Sequence, residues 1–478
     1  MTMVAGRGKV TPVHQVPFLT ISQLGAAYDS GELSPMEATH QMLDRIEQLE
    51  CRLAAFVTVA PERAMSQARK AEDELAKGRR RSPLHGVPIA LKDLCNTAAM
   101  PTSAGTSILA DWTPAGDSTV AARLDAAGAV LLGKLKMTEG AFVTHHPSVS
   151  PPVNPWSPGH VTGLSSSGSG VAVAAGMCYA ALGSDTGGSI RFPAACCGVV
   201  GLKATFGRVS RHGIFPLASS LDHVGPMARR VRDAALMLDA IAGPDPRDPA
   251  CLTGPAEPAS PGIETFPAGV RVGVDEAYCS DHVDPIVREA VMAAVDVLRR
   301  LGADVRTVAL PPVADLLRDF NTWVAVEAAL AHSEWFPARA DEYGDGLRAL
   351  LEDGLKCPAT GYARVRAAGQ TFAGELARLF EDVDVIACPS WPVPAPPIAP
   401  TESLEEIVDE AGKMLKFTGP FNASGNPTIS VPCGFSGDGL PLSLQLVGRH
   451  LEEAQILRLG HAYEQATAWH EEIPPLAA

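Results

Sequence analysis

Short apolar runs alternate with amphipathic helical patterns along most of this chain, and the alternation restricts the fold more than any other feature. VPIALKD at 87–93 and AGAVLLGKL at 127–135 are two of the runs, and STVAARLDAAG at 118–128 has a helical pattern. Brief apolar runs bounded by charged or turn residues predict buried strands. Strands that alternate with helices predict an α/β fold in which helices cover both faces of a sheet.

The alternation continues past the middle of the chain, so we expect a single domain over residues 1–478. A segment at 243–268, rich in proline and glycine, predicts a surface excursion rather than a boundary, because strand patterns occur on both sides of it. Residues 1–80 predict an N-terminal helical segment, in which SPME at 34–37 is a capping box. Further strands are predicted at 271–275, 303–310, 383–389, 428–434 and 442–448, and further helices at 62–77, 284–301 and 451–466.

Composition and charge exclude several classes of protein. Of the 478 residues, 46% are apolar and 19% are charged, which allows a large core and excludes a disordered chain. The net charge of −15 argues against a nucleic-acid partner, because an acidic chain repels phosphate backbones. The ten cysteines form no CxxC pair, so we expect no zinc site and reduced, mostly buried thiols in a cytoplasmic protein.

Two segments bear on a membrane location. Residues 1–18 lack the apolar core of a secretory signal. Residues 161–184 carry no charge and are long enough to span a bilayer, but five serines and five glycines interrupt them. We therefore expect a buried core segment that carries a polar loop, and no membrane partner.

A serine cluster, GLSSSGSG at 163–170, lies in that uncharged segment. Its composition alone is as typical of a flexible linker as of a site. The linker interpretation is weakened because VAVAAG, the beginning of a core helix, follows at once. A phosphate-binding loop is excluded, since Ser169 and Gly170 stand where lysine and then serine or threonine would be required.

A second cluster, GSDTGGSIRFP at 183–193, follows a short apolar run. A strand that ends in a Gly-Gly-Ser turn can direct several backbone N–H groups at one point, which suits an oxyanion. Gly187 and Gly188 would let the backbone approach a ligand closely. For this segment alone, an ordinary turn at a strand end is as good an interpretation.

A serine nucleophile needs a base, and Lys92 is the candidate. The elbow G-x-S-x-G is absent around Ser189, and the pair His145 and His146 has no metal-ligand spacing and is expected to be solvated. Taken alone, a lysine in this position is usually a surface residue. It ends an apolar strand, however, where α/β sheets build their sites, and burial would lower its pKa. Asp93 should face the opposite side of the strand.

Together these motifs resemble the amidase signature family. The resemblance covers the chain from about residue 20 to its end and implies an α/β/α sandwich with a large mixed β-sheet. Residues 85–230 would hold the catalytic core motifs. The matching segments are HGVPIALKD at 85–93, the cluster at 163–170, GSDTGGSIRFPAACCGVVGLKATFGRVS at 183–210, SLDHVGPMAR at 220–229, FNASGNPTISVPCG at 421–434 and PLSLQLVGRHLEEAQIL at 441–457.

The resemblance also implies a Ser-Ser-Lys triad and no metal or organic cofactor. Carried over position by position, Ser189 is the nucleophile, Ser165 is the middle serine in an unusual cis peptide, and Lys92 is the base. The two serines are 24 positions apart, as the family requires. The resemblance places the oxyanion hole in the backbone N–H groups from Thr186 through Gly187 and Gly188 to Ser189, and it gives supporting roles to Ser166, Asp185 and Arg191.

Two parts of the sequence are expected to shape the pocket. In the serine cluster, Leu164 and Ser167 stand where the family usually has glycine, which bears on the width of the pocket. The variable region 315–400 and the loop 139–150 are expected to form a substrate funnel. The aromatic residues of that region could equally belong to the core, and they are Trp323, Trp335, Phe336, Tyr343, Tyr362 and Trp391.

Three functions remain open on the sequence. The first is a stand-alone hydrolase of small-molecule amides with aryl or bulky acyl groups, with esters and carbamates as further substrates. The second is the amidase component, called A, of a glutamine-dependent tRNA amidotransferase, although the stretch 139–162 does not resemble sequences of that component. The third, a non-catalytic binding protein, is disfavoured because all three triad positions are filled. A homodimer is left open.

Overall fold

The structure, a computed structural model, describes residues 13–398 and 414–478. Within these ranges, eleven strands form one large mixed sheet with helices on both faces, and this α/β/α sandwich confirms the predicted fold class. The strands are β1 (Phe56–Val59), β2 (Pro88–Lys92), β3 (Val130–Leu135), β4 (Ala180–Asp185), β5 (Val200–Lys203), β6 (His223–Ala228), β7 (Arg271–Val274), β8 (Asp304–Thr307), β9 (Val385–Pro389), β10 (Thr428–Phe435) and β11 (Pro441–Gly448).

Several helices begin at a residue whose side chain caps them. Ser34 accepts a hydrogen bond from the N–H of Glu37 at the start of the second helix, in the predicted capping box. The helices are α1 (Ile21–Ser30), α2 (Pro35–Leu53), α3 (Pro61–Ala76), α4 (Thr119–Ala126), α5 (Ser167–Ala174), α6 (Arg191–Cys197), α7 (Val231–Ile241), α8 (Pro285–Arg300), α9 (Ala314–Arg318), α10 (Phe320–Ala331), α11 (Asp345–Lys356), α12 (Ala359–Asp382), α13 (Gly419–Ala423) and α14 (Glu453–Gln465).

The strand order brings the two serine-rich segments and the candidate base to one edge of the sheet. The order is β1-β3-β2-β4-β6-β5-β10-β11-β9-β7-β8. Strand β2 lies between β3 and β4 and runs parallel to both. Because neighbouring parallel strands end at the same edge, Lys92 at the end of β2 lies near the last residues of β4, beside Ser184.

Opposite faces of the sheet carry different helices. On β10, Ile429 contacts Gly460 of α14, with 3.7 Å between Ile429 Cδ1 and the position of a Cβ at Gly460. The next residue, Ser430, pairs with Gly201, where a Cβ would lie 2.7 Å from the Cβ of Ala194 in α6. Because successive strand residues face opposite sides, α14 and α6 cover opposite faces.

Three strands were not predicted. The predicted N-terminal helical segment contains β1, a four-residue edge strand in which only Phe56 is buried, so its apolar run is too short to stand out. Strands β5 and β6 carry Gly201, Gly225 and Pro226, which weaken a strand pattern. Gly225 is required by close packing, because a Cβ there would lie 2.1 Å from the carbonyl oxygen of Leu202.

Other expectations have mixed outcomes. The uncharged segment 161–184 is buried from Ser165 onwards, as predicted. Eight of the ten cysteines are buried, and all ten are free thiols. Among residues 13–398 and 414–478, no helix is long and apolar enough to cross a membrane. The expectation about a leader at 1–18 falls largely on residues outside the described ranges, as does the end of the variable region at 399–400.

Candidate active site

Lys92 is the last residue of β2, a strand in which every residue is buried, and none of its surface reaches solvent. Its Nζ atom lies 2.7 Å from Ser165 Oγ, 3.0 Å from Ser166 Oγ and 2.8 Å from Ser184 Oγ. Within the described part of the chain, three serine hydroxyls are therefore the hydrogen-bond partners of the amine, and no carboxylate is among them.

Burial lowers the pKa of Lys92 to about 7, and nearby acidic groups offset only part of this effect. The neighbouring Asp93 faces the other side of the strand, as predicted, and is held there by other partners. Lys134 Nζ lies 3.1 Å from Asp93 Oδ1, and the N–H of Ser103 donates to Asp93 Oδ2 at 3.0 Å. The Lys92 amine is therefore neutral for a large share of the time near pH 7.

The serine cluster leads into α5, and its glycines let that helix pack closely against the end of β3. A Cβ on Gly168 would lie 2.5 Å from the carbonyl oxygen of Ala55 and 2.7 Å from the backbone nitrogen of Lys136. Ser165 and Ser166 are fully buried directly before this helix. Small residues are thus required by the packing, which explains a composition that resembles a linker.

The peptide bonds on both sides of Ser165 are trans, which corrects the cis peptide expected there. In the residues described, the one cis peptide bond joins Phe336 and Pro337. A cis bond before a residue other than proline costs about 2.5–4 kcal/mol. The trans backbone already brings the Ser165 hydroxyl to Lys92.

Asp185 ends β4 and fixes the turn that follows. Its Oδ1 accepts a hydrogen bond from the N–H of Gly188 at 2.9 Å, and its Oδ2 accepts one from the N–H of Ile190 at 3.1 Å. Arg191 lies against the same carboxylate, with Nη2 2.8 Å from Oδ1 and Nε 3.0 Å from Oδ2. Burial alone would raise the pKa of Asp185, but the Arg191 guanidinium holds it well below its usual range. The carboxylate therefore remains charged.

The predicted oxyanion donors divide into two groups. Within the described ranges, the backbone N–H groups of Thr186, Gly187 and Ser189 have no hydrogen-bond partner. The N–H of Gly188 donates to Asp185 instead, which corrects its prediction as an oxyanion donor. The Asp185 carboxylate accepts this hydrogen bond because it lies on the inner side of the turn that follows β4.

Ser189 follows this turn and lies in the wall of a cavity of about 50 Å³. It is 7% exposed, and its Oγ has no hydrogen-bond partner among the described residues, Ser165 included. Hydrogen bonds between catalytic groups are often long in an empty site and tighten when substrate binds. The structure thus brings Lys92 and Ser165 into contact, and it leaves the Ser189 hydroxyl without a partner in the wall of the cavity.

The cavity walls are mostly apolar and include residues of both segments that were expected to shape the pocket, but not the predicted aromatic residues. Three residues of the loop 139–150 line the cavity, and so do three residues of α10. Its aromatic members are Phe142 and Phe320, and none of the six aromatic residues predicted for the funnel is among them. The lining residues are Ala141, Phe142, Val143, Leu164, Thr186, Gly187, Ser189, Leu217, Phe320, Asn321, Val324 and Leu415.

Trp391, one of the aromatic residues that the sequence assigned equally to the funnel or to the core, belongs to the core. It is 5% exposed, and its ring lies 4.5 Å from that of Phe192 in α6. It is the second residue after strand β9, and its side chain packs inward against α6. A position near the end of a strand does not determine whether a side chain packs into the core or lines the cavity.

Two contributing residues were missed by the sequence interpretation. Ser184 contacts Lys92, and the signal for it was its place next to the end of β4, the strand parallel to β2. Asp222 accepts a hydrogen bond from Thr186 Oγ1 at 2.6 Å and another from the N–H of Ala218 at 3.1 Å. Burial raises the pKa of Asp222 to about 6. The sequence signal for Asp222 was its place in SLDHVGPMAR at 220–229, a segment that matches the family.

His145 is not the solvated residue that was expected. It is half-buried, and its Nε2 lies 3.2 Å from Ser167 Oγ. Burial lowers the pKa of His145 to about 4, and nearby lysines lower it further, so the ring is neutral near pH 7. Within the ranges 13–398 and 414–478, no group of three or more His, Cys, Asp or Glu side chains could hold a metal ion.

Comparison with known proteins identifies this α/β/α sandwich as a member of a class of enzymes that hydrolyse amides. Within that class the chain belongs to the amidase signature family, since the family model named Amidase matches residues 37–457, and the protein is an amidase.

Relatives cover almost the whole chain. It is 43% identical over 460 residues to the "Putative amidase AmiD" of Mycobacterium tuberculosis, with 96% of each chain covered. It is 39% identical over 490 residues to the A component of the glutamyl-tRNA(Gln) amidotransferase of Chloroflexus aggregans, with 97% of this chain and 99% of the relative covered. The solved structure of 6-aminohexanoate cyclic dimer hydrolase complexed with substrate matches with a TM-score of 0.89 at 29% identity, over 97% of this chain and 100% of that one.

Proposed function

We propose that this amidase cleaves the carbon–nitrogen bond of linear amides through an acyl-enzyme on Ser189, with Ser165 as proton relay and Lys92 as base. The observation that carries the proposal is the environment of Lys92, a fully buried amine whose partners in the described ranges are serine hydroxyls. A buried amine without a carboxylate partner loses its proton readily, and a neutral amine can accept one.

Ser166 supports a direction for the proton transfer. Its Oγ donates to the carbonyl oxygen of Ser184 at 3.1 Å, so it accepts a hydrogen bond from Lys92. A neutral amine has two N–H groups and one lone pair. With the N–H groups directed at Ser166 and Ser184, the lone pair is left for the hydroxyl of Ser165, 2.7 Å away.

The reaction follows from these contacts. Lys92 takes the proton of Ser165, Ser165 takes that of Ser189, and Ser189 Oγ attacks the carbonyl carbon. The free N–H groups of Thr186 and Gly187 stabilise the oxyanion. Ser165 returns a proton to the nitrogen, the carbon–nitrogen bond breaks and the amine departs. Water that gives a proton to the same relay then releases the carboxylic acid.

Four further residues are proposed to act through other groups. Ser166 orients the Lys92 amine, as described above. Asp185 and Arg191 hold the turn that presents Ser189. Asp222 holds Thr186 through its hydroxyl, which keeps that backbone N–H at the cavity. These are positioning residues, and their loss should slow acylation without removing the nucleophile.

The proposed substrates are small-molecule amides. The sequence predicted aryl or bulky acyl groups, and the small cavity beside Ser189 favours amides whose larger group is on the amine side. Esters and carbamates share the acyl carbon that Ser189 would attack, so we propose them as further substrates. Every candidate residue comes from one chain, so activity should not require a nucleic acid or a second protein, whether or not a homodimer forms. The ten free thiols are consistent with the proposed cytoplasmic location.

The alternative is the A component of a glutamine-dependent tRNA amidotransferase, which the 39% identical relative favours. A component of that kind would liberate ammonia from glutamine within a complex. Hydrolysis of a simple amide by the purified chain without any partner supports the stand-alone amidase. Activity on glutamine that appears only with partner proteins would support the alternative.

Covalent labelling tests the nucleophile. A fluorophosphonate probe should form an adduct that peptide mapping places within residues 186–191, on Ser189. The variant Ser189→Ala should fold normally, lose labelling and lose amide hydrolysis by about 10³-fold or more, as removal of a catalytic serine does elsewhere.

The controls separate the roles of the residues. Lys92→Met should abolish both labelling and hydrolysis, whereas His145→Ala should leave the acylation step largely intact. An adduct on Ser165 in a protein whose Ser189 stays unmodified would reverse the assignment. Loss of labelling through His145→Ala alone would contradict the lysine as base.

A further inference from the structure

A second, larger cavity adjoins the one that contains Ser189. It is a groove of about 680 Å³ between α10, α11 and α12, and it contains none of the residues proposed for catalysis. The two cavities meet at Phe142 and Asn321, which line both. We call the cavity at Ser189 the inner cavity and the larger one the outer groove.

Asn321 is the polar side chain at the junction. It lies in the first turn of α10, and its amide has no hydrogen-bond partner in the described part of the chain. Thr186, another polar residue of the inner cavity, already donates to Asp222. A side-chain amide offers a carbonyl acceptor and an NH₂ donor, which another amide group can satisfy together.

The residues that line the outer groove are more exposed than those that line the inner cavity. Asp353, Lys356 and Arg364 of the groove are exposed, but most residues of the inner cavity are buried. In acyl transfer the amine must leave before water attacks the acyl-enzyme, so the amine should lie on the solvent side. The acyl group then remains in the inner cavity, whose volume of about 50 Å³ suits a small acyl group.

The charges of the groove favour an uncharged amine portion. Two acidic residues, Asp319 and Asp353, line it together with two basic ones, Lys356 and Arg364. Because the charges are balanced, neither a strong anion nor a strong cation is selected. The groove therefore suits a polar, neutral chain.

We propose that the outer groove binds the amine half of the substrate, and that Asn321 hydrogen-bonds to a second amide group carried by that amine. The preferred substrate class is then a small acyl group on an elongated amine that contains a second amide. This inference rests on the proposed function and deepens it by giving each half of the substrate its own cavity.

Matched substrates test the proposal. N-methylacetamide is the short reference, and the probes are N-acetyl amides of the amines H₂N–(CH₂)ₙ–CONH₂ with n from 1 to 4. Each has a partner of equal length in which an alkyl group replaces the second amide. Release of acetate is measured, so that cleavage of the terminal amide does not contribute. At the best n, kcat/KM for the diamide should exceed that of its alkyl partner by about fivefold to tenfold.

Two variants address the two parts of the proposal. Asn321→Leu should remove the preference for the diamide over its alkyl partner, so that their ratio approaches one. Ala349→Phe adds a ring to the wall of the outer groove and should lower kcat/KM for every long amine, relative to N-methylacetamide, by about tenfold. The control is Ala377→Phe on the exposed side of α12, away from the groove, which should change neither ratio.

Binding measurements keep the test valid if turnover fails. In the Ser189→Ala background, calorimetry should show tighter binding of the diamide than of its alkyl partner, and Ala349→Phe should weaken it. The proposal would be overturned if the diamide and its alkyl partner bound equally well to Ser189→Ala, with or without Ala349→Phe. A preference for a second amide on the acyl side would overturn it as well. Absence of acetate release from every substrate would count against the proposed function, and the binding result would still decide whether the outer groove holds the amine.

Discussion

At the scale of single residues, the site depends on a buried lysine whose hydrogen-bond partners, among the described residues, are serine hydroxyls and not carboxylates. Lys92 has no exposed surface, and the adjacent carboxylate of Asp93 pairs with Lys134 on the other side of the strand. An ammonium group in this place would have three hydroxyls as hydrogen-bond acceptors, and the acidic groups nearby offset only part of the effect of burial. This explains why burial dominates the pKa of Lys92.

The rate of acylation should therefore depend on pH through Lys92. Its pKa of about 7 means that the neutral, working form grows as the pH rises from 6 to 8. We expect kcat/KM to rise about tenfold per pH unit below pH 7 and to level off above it. The measurement is a pH profile of kcat/KM with a neutral amide, and a profile that falls across this range would contradict a neutral lysine base.

The variant Lys92→Met is the control for this prediction, and the pH dependence of its stability provides a second measurement. The folded pKa is about 7 and the unfolded pKa is about 10.4, so the unfolded chain binds more protons between these values. Lysine therefore destabilises the fold most at and below pH 7, and this effect disappears by about pH 10.4. Thermal unfolding of Lys92→Met should show a gain in stability relative to the parent protein that shrinks as the pH rises across that window.

At the scale of elements, the site is built from two turns that join strands to helices. One turn leads into α5 and presents Ser165 and Ser166, and the other follows β4 and presents Ser189. Hydrogen bonds hold both turns in place, and the backbone packs closely against its neighbours at their glycines. Rigid elements on both sides fix the serines more firmly than a free loop would.

Gly188 tests the second turn. Its φ is +133°, and a Cβ there would lie 2.6 Å from the ring of Phe192 and 2.8 Å from Thr418 Oγ1. We expect Gly188→Ala to reduce kcat by about 10²-fold or more and to lower the free energy of unfolding by about 1–3 kcal/mol. Kinetics and denaturant unfolding measure the two effects.

Gly374 provides the matched control for that substitution. It lies in the interior of α12, and nothing comes within 4 Å of a Cβ built on it. Gly374→Ala should leave activity unchanged and stabilise the protein by about 0.5–1 kcal/mol, because alanine is the better helix former. Full activity of Gly188→Ala would show that the turn tolerates a side chain and would contradict its proposed shape.

At the scale of the whole molecule, one sheet contains strands from nearly the whole sequence, from β1 at 56–59 to β11 at 441–448. Strand β5 pairs with β10, so residues near 200 lie beside residues near 430. Strands β10 and β11 also connect the N-terminal strands to β9, β7 and β8. A cut between the halves of the sequence would expose buried strand edges, which supports the proposal of a single domain.

The protein should therefore unfold in one cooperative step. We expect a single calorimetric transition, with far-UV circular dichroism and tryptophan fluorescence changing together. The six tryptophans are spread from residue 112 to residue 469, so their fluorescence reports on both halves. Two separate transitions, or probes that disagree, would contradict a single domain.

The sequence by itself determined the class of fold, most of the strands and about half of the helices. Apolar runs such as 87–93 and capping signals such as that at 34–37 are local, and local signals survive without knowledge of the partner segments. The resemblance supplied Lys92, Ser165 and Ser189 as site residues. It missed Ser184, which meets Lys92 only because β2 and β4 are neighbours in the sheet.

The tertiary structure alone decided the pKa of Lys92, the hydrogen bond from the Gly188 N–H to Asp185 and the residues that line the cavity. Each depends on segments far apart in the chain: Phe142 and Phe320 share a wall, while Trp391 packs inward on Phe192. Burial and pairing are properties of the assembled core, because the free energy of a charge or an aromatic ring depends on everything packed around it. A sequence pattern names the residues that can do the chemistry, and only the packing determines which of them meet.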